Sequence, residues 1–210
     1  MKFIKTLFAS AAIVASFGVS ANVNGTLGGG YGTFLTLSGS GLVGSGGTLD
    51  GIGTISGGTV YTADQPFADI PKGGVFGGDF LSAGPGPNNS EPATLTFTTP
   101  LSYISFLWGS PDTYNQLTVN TDSGSSMSQM FTTASLGLPG DGNQSFSQYV
   151  QFAGIAGARI TSLVFTNVPS IDAFETANFS ITPIPEPETY ALMLAGLAAM
   201  GFMARRRKNG

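Results

Sequence analysis

The stretch Thr94-Leu95-Thr96-Phe97-Thr98-Thr99-Pro100-Leu101-Ser102-Tyr103-Ile104-Ser105-Phe106-Leu107-Trp108 carries two strand patterns in succession. Thr94 to Thr98 alternates polar and apolar residues with a period of two, the pattern of a strand that buries one face. Pro100 is expected to end it. Leu101 to Trp108 is more continuously apolar, as in a strand covered on both faces. Downstream, Gln116 to Asn120, Met127 to Thr132, Phe146 to Ala153, Arg159 to Thr166 and Phe174 to Ile181 read as further strands, separated by turn-forming clusters such as Gly140-Asp141-Gly142-Asn143.

Upstream, Thr59 to Ala63 reads as a strand, and Asp64 to Asn89 as a long loop or several tight turns because glycine and proline punctuate it. Asn22 to Gly58 is rich in Gly, Thr and Ser. Short strands are preferred there over a flexible linker, because Leu and Ile recur often enough to bury one face. No convincing amphipathic helix precedes position 185. Roughly eight to ten short strands with frequent turns predict an all-β fold, an antiparallel β-sandwich of jelly-roll type.

Both ends of the chain read as targeting segments. Lys2 and Lys5, the apolar run Leu7 to Val19 and the small residues Val19-Ser20-Ala21 fit a secretory signal peptide (1–21), cut after Ala21 by signal peptidase. The exported domain is then 22–184, with 22–92 its glycine-rich part. At the other end, Pro185-Glu186-Pro187-Glu188 precedes an apolar run at 189–204 and a basic run, Arg205-Arg206-Arg207-Lys208. Sixteen helical residues span roughly 24 Å, enough for a thin bilayer. The basic tail at 205–208 stays cytoplasmic by the positive-inside tendency, which leaves everything before Pro185 outside.

This order of motif, apolar helix and arginines over 185–210 resembles the PEP-CTERM sorting signal of Gram-negative bacteria. The resemblance implies that exosortase, a membrane protease-transpeptidase, recognises Pro185, Glu186 and Pro187 together with Arg205, Arg206 and Arg207. It further implies an inner-membrane-anchored precursor that is passed to the cell surface or the extracellular matrix.

Composition narrows the chemistry of the domain. There is no Cys and no His, which excludes disulfides, thiol nucleophiles and histidine bases. The region between the targeting segments holds ten acids against Lys72 and Arg159 alone, a net charge of −8. So acidic a domain does not bind nucleic acid, which needs clustered cations. Exopolysaccharide, cations and other proteins remain as partner classes.

Two stretches attract functional readings. In Trp108-Gly109-Ser110-Pro111-Asp112-Thr113-Tyr114-Asn115, the structural reading buries the rings and lets Asp112 and Asn115 set a turn. The alternative makes Trp108, Asp112, Tyr114 and Asn115 a carbohydrate site, with rings stacking on sugar faces and polar groups taking hydroxyls. In Phe174-Glu175-Thr176-Ala177-Asn178-Phe179, the structural reading is a strand with its Phe residues in the core. From about Leu95 onward the chain resembles an exosortase-dependent surface-protein family with a Trp-Gly-Ser-x-Asp-x-Tyr-Asn motif and a final Phe-Glu-x-Asp-Asn strand. That likeness raises a calcium site at Glu175 and Asn178. Ala177 stands where the pattern has an acid, so one charged ligand is missing. No other cofactor is expected.

A glycosidase would need two carboxylates, such as Asp112 with Asp172 or Glu175. Nothing in the spacing selects such a pair, and a non-enzymatic protein is expected. Tails of this type also suggest ice binding, and Thr94, Thr96 and Thr98 alternate suitably, but no fixed repeat builds a flat threonine face. The expectation is therefore an exported structural or adhesive component of the envelope or biofilm exopolysaccharide, with a carbohydrate-binding module as the alternative.

Overall fold

A computed structural model describes residues 23–84, 91–123 and 127–182, together with 196, 197 and 200. The expected signal peptide with Ala21, the Pro185-Glu186-Pro187 motif, most of the apolar run and the basic residues Arg205 to Lys208 lie outside the described residues. Among the described residues no helix is long and apolar enough to cross a membrane.

The first half of the chain contributes β1 (Val23–Leu27), β2 (Leu37–Ser38), β3 (Gly47–Leu49), β4 (Gly53–Ser56), β5 (Thr59–Tyr61) and β6 (Phe80–Ala83). The second contributes β7 (Ala93–Leu101), β8 (Tyr103–Gly109), β9 (Asn115–Thr121), β10 (Ser128–Thr132), β11 (Ser147–Gly154), β12 (Ile160–Asn167) and β13 (Phe174–Ser180). One turn of helix, α1 (Thr133–Leu136), follows β10 and is closed by a Thr132–Ser135 capping box.

These strands build an antiparallel β-sandwich of two sheets, in the orders β1-β11-β8-β13-β6-β5 and β10-β9-β12-β7-β4-β3-β2. The pairings β9·β10, β8·β11, β7·β12 and β6·β13 are nested. Such nesting is what a long antiparallel ribbon gives when it is rolled across two sheets, and it is the jelly-roll winding. The glycine-rich first third adds β1 beside β11, β5 beside β6, and β4, β3 and β2 beyond β7.

The two patterns at 94–108 are realised. β7 alternates buried and more exposed positions from Ala93 to Thr98, and every residue of β8 is buried. Ile104, Phe106 and Trp108 of β8 point into the core between the sheets, where Phe106 meets Phe152, Phe165 and Phe179 at centroid distances of 5.5 to 5.8 Å. Each fully buried ring contributes about 1.5–3 kcal/mol, so stability rests on this cluster in a chain without disulfides.

The opposite face of β8 is covered by loops. Residues 62–79 cross the outer side of the six-stranded sheet, where Phe67, Ile70 and Val75 pack with Phe80 and Ala177. Residues 28–36 cross beside them, and the Gly30 N–H donates to Ser105 Oγ at 3.1 Å.

Two expectations need correction. Asp64 to Asn89 is not all loop, because Phe80-Leu81-Ser82-Ala83 forms β6, buried at every position. The flanking glycines hid so short a strand, and with both faces covered it shows no alternation. Pro100 does not end its strand, because β7 continues to Leu101. The ladder to β12 jumps from Thr96 to Leu101 across an irregularity, so the missing proline N–H breaks no rung there.

Candidate functional site

The Trp-Gly-Ser-x-Asp-x-Tyr-Asn stretch leaves the end of β8 and returns as β9. Trp108 is 0% exposed and stacks on Phe174 with centroids 4.1 Å apart. Asn115, also fully buried, closes the turn: its Oδ1 accepts from the Asp112 N–H at 2.8 Å and, more weakly, from Trp108 Nε1 at 3.4 Å. Its Nδ2 donates to Asn167 Oδ1 at 2.7 Å. Asn167 passes the chain on, donating from Nδ2 to the Ala83 carbonyl at 2.7 Å and to Glu91 Oε1 at 3.0 Å. Trp108 and Asn115 are therefore not ligand contacts. They are core residues tied into a buried polar chain, and no sugar face can reach the indole.

Asp112 and Tyr114 lie closer to the surface. The Tyr114 hydroxyl donates to Asp112 Oδ2 at 2.6 Å, and Asp172 Oδ2 stands 3.5 Å from that hydroxyl. Burial, then the bond to Asp112 and the charges of Asp112, Asp172 and Glu175, push the phenol far above its ordinary range. It is a fixed donor, not an acid. Gly142 packs so closely that a Cβ there would lie 2.7 Å from Asp112 Oδ1, and its φ of +62° further favours glycine.

Asp112, Asp172 and Gly142 line a small cavity of about 160 Å³ with Phe67, Asp69, Ser110, Gln144 and Glu175. A shallower depression of about 430 Å³ adjoins it at Asp69 and Gln144 and reaches Lys72. Glu175, the second residue of β13, enters only 4% exposed. Its Oε2 accepts from Ser110 Oγ at 3.1 Å and its Oε1 from the Asp69 N–H at 3.4 Å. Burial holds its carboxyl well above the usual range, partly offset by those two bonds and reinforced by the charge of Asp69. Asp69 is itself raised by burial and by its neighbours Asp64 and Asp172.

The structure thus brings Asp112, Asp172 and Glu175 to one cavity, together with Asp69 and Ser110, which the sequence did not single out. It does not bring Asn178 there. Asn178 Oδ1 accepts from the Phe76 N–H at 2.6 Å, and its Nδ2 donates to the Gly74 carbonyl and to Tyr149 Oη, each at 2.9 Å. Its left-handed φ of +53° marks a bulge in β13 that clamps the 73–78 loop. Glu175 and Asn178, the residues of the expected calcium site, are thus committed to different partners in this structure. Among the described residues no group of three or more acidic side chains converges closely enough to hold a metal ion.

The chain leaves the sandwich at the other end of β13 from this cavity, and there the relationship to known proteins begins. Residues 183–208 match the family model of the PEP-CTERM protein-sorting motif. The molecule is thus a jelly-roll sandwich carrying a PEP-CTERM sorting motif. That motif implies an exported protein processed through exosortase. No curated protein and no solved structure matches the chain.

Proposed function

We propose that the sandwich is a display and contact domain, anchored in the inner membrane as a precursor and released to the cell surface or matrix, with a structural or adhesive role in exopolysaccharide. The observation that supports this is the course of β13. It begins at the acidic cavity with Phe174 and Glu175 and ends at Ser180, directly before the sorting motif at 183–208. Seven strand residues extend about 23 Å, so the cavity is carried at the end of the domain away from the tail. If Pro185, Glu186 and Pro187 form the recognition element, their triple replacement by alanine leaves full-length protein in the membrane fraction, whereas Asp112→Ala sorts normally. Release of the triple variant at the wild-type rate would overturn the assignment.

Carbohydrate binding is the second reading, and the cavity favours it at a place other than Trp108. Carboxylate acceptors of Asp112 and Asp172, the Ser110 hydroxyl, the Gln144 amide and the half-buried Phe67 ring converge there, a set suited to sugar hydroxyls and one C–H face. The cavity alone is smaller than an ordinary drug-sized site, so it takes a single sugar unit or chain end, with the adjoining depression receiving the next. Titration with neutral glycans should perturb NMR resonances of Phe67 and Gln144, and Asp172→Asn should weaken the response.

The role is binding rather than catalysis, without a cofactor. Asp112 is held by Tyr114 and Glu175 by Ser110 and the Asp69 N–H, so both are fixed acceptors, which suits them to orient a ligand hydroxyl rather than to exchange a proton. Release of reducing sugar that disappears in Asp112→Asn would refute this.

A further inference from the structure

Around the C-terminal end of β13 the domain exposes a second, quite different surface. Tyr31, Phe76 and Ile181 are 47%, 46% and 38% exposed, respectively. Tyr31 and the neighbouring Phe34-Leu35 segment are tied to the last residues of β13. Ser180 Oγ donates to the Tyr31 carbonyl, and the Leu35 N–H donates to the Phe179 carbonyl at 2.8 Å. Phe34 sits between Phe76 and Tyr149, with ring centroids 6.1 Å from each. Asn178 fixes the Phe76 backbone from beneath. The result is an apolar rim of aromatic rings on a rigid base, at the point where the chain departs. Exposed aromatic clusters of this kind on a soluble domain mark contact surfaces.

We propose that this rim rests on the lipid surface while the precursor is held by its tail. The proposal rests on reading 189–204 as a bilayer segment, and the chain length argues for it. Only Pro183 to Glu188 separate Thr182 from that segment. Six residues reach at most roughly 20 Å when fully extended. A domain of this size is about 40 Å across, from a radius of gyration near 15 Å. The tether is thus shorter than the domain, and only the end bearing Thr182 can meet the bilayer. That end carries Tyr31, Phe34, Phe76 and Ile181, and aromatic rings are the side chains favoured at the headgroup boundary. The acidic cavity lies at the opposite end of β13, away from anionic headgroups, and leaves Asp79, at the end of the Phe76 turn, as the carboxylate next to the rim. Resting on the rim fixes the domain's orientation relative to the membrane.

The absence of cysteine makes the test direct. Full-length protein carrying Phe76→Cys or Tyr31→Cys is labelled with an environment-sensitive fluorophore and reconstituted into phosphatidylcholine vesicles, with and without nitroxide-bearing lipid. Ile171→Cys, which replaces a somewhat more exposed apolar residue, 55% exposed, at the other end of β13, is the comparison. The buried Trp108 reports in each case that the fold is intact. Labels at positions 76 and 31 should shift to the blue and lose emission to the lipid-borne quencher, while the label at 171 should do neither. Protein that floats with the vesicles but shows three equally aqueous labels overturns the rim assignment alone. Protein that does not float at all overturns the tail reading beneath it. Shielding of positions 76 and 31 by added dextran, without lipid quenching, reassigns the rim to a glycan and likewise overturns the proposal.

Discussion

Replacing Asn115 by alanine should destabilise the sandwich severely, because it strands three groups at once. The Asp112 N–H loses its acceptor, Asn167 Oδ1 loses its donor and Trp108 Nε1 loses a long contact of 3.4 Å. Asn167 cannot recover by flipping its amide, since its Nδ2 already donates to the Ala83 carbonyl and to Glu91. Each buried polar group left unpaired costs about 1–3 kcal/mol, and with the weak indole bond discounted the two that remain total about 2–6 kcal/mol. That is a large share of the roughly 5–15 kcal/mol by which an ordinary domain is stable. Asn115→Asp should be no milder, because it keeps the acceptor but sets a buried charge against Asn167 Oδ1. Urea unfolding followed through the emission of Trp108, the single tryptophan, reads the effect as a lowered midpoint at unchanged slope. A loss of less than about 0.5 kcal/mol, the range of an ordinary surface change, would refute the buried-chain reading. Lost glycan binding at unchanged stability would restore Asn115 as a ligand contact.

Glu175 should make stability depend on pH. Its folded carboxyl holds a proton more tightly than the unfolded one, so that contribution is full below about pH 4.3, the unfolded value, and is lost as pH rises through the raised folded value. Glu175→Gln copies the protonated form; its stability advantage over wild type should grow from acid to neutral pH, and parallel urea midpoints across that range would contradict the burial argument. Gly109→Ala should push the 62–79 crossing off the sheet, because the new Cβ would lie 2.9 Å from Pro71 Cγ and 3.2 Å from Glu175 Cβ. An overpacking cost of about 1–3 kcal/mol is expected, with amide exchange protection lost around Ala68 and Asp69, and an unchanged midpoint would show that the loop yields freely.

Where the sequence was readable, the information was local. Alternation at Thr94 to Thr98 and the apolar run into Trp108 belong to single strands, and each reports its own burial directly. The Asp112 and Asn115 turn was legible for the same reason, since both halves of its hydrogen bonds lie within four residues. β6 was not, because four residues buried on both faces leave no period to detect. The partners that complete the polar chain, Asn167 and Glu91, come from β12 and from the segment just before β7, and no spacing announces that contact. The cavity was half legible. Asp112, Asp172 and Glu175 could be named as acids, but only the pairing of β13 with β8 and β6, and the return of the 62–79 crossing over Gly109, bring them together with Asp69 and Ser110. Trp108 was ambiguous in sequence because a tryptophan beside Asp, Tyr and Asn fits a core as well as a sugar platform. Burial decides it, and burial here depends on Phe174, far away in the chain.

The most direct measurement is the intact mass of the protein from its native host, in membrane and extracellular fractions, beside an exosortase-deficient strain. An exported, exosortase-sorted protein predicts an extracellular form lacking the residues from about Pro185 onward, found only when exosortase is present. A chain ending at Gly210 in the membrane of both strains would contradict it and make the tail a permanent anchor.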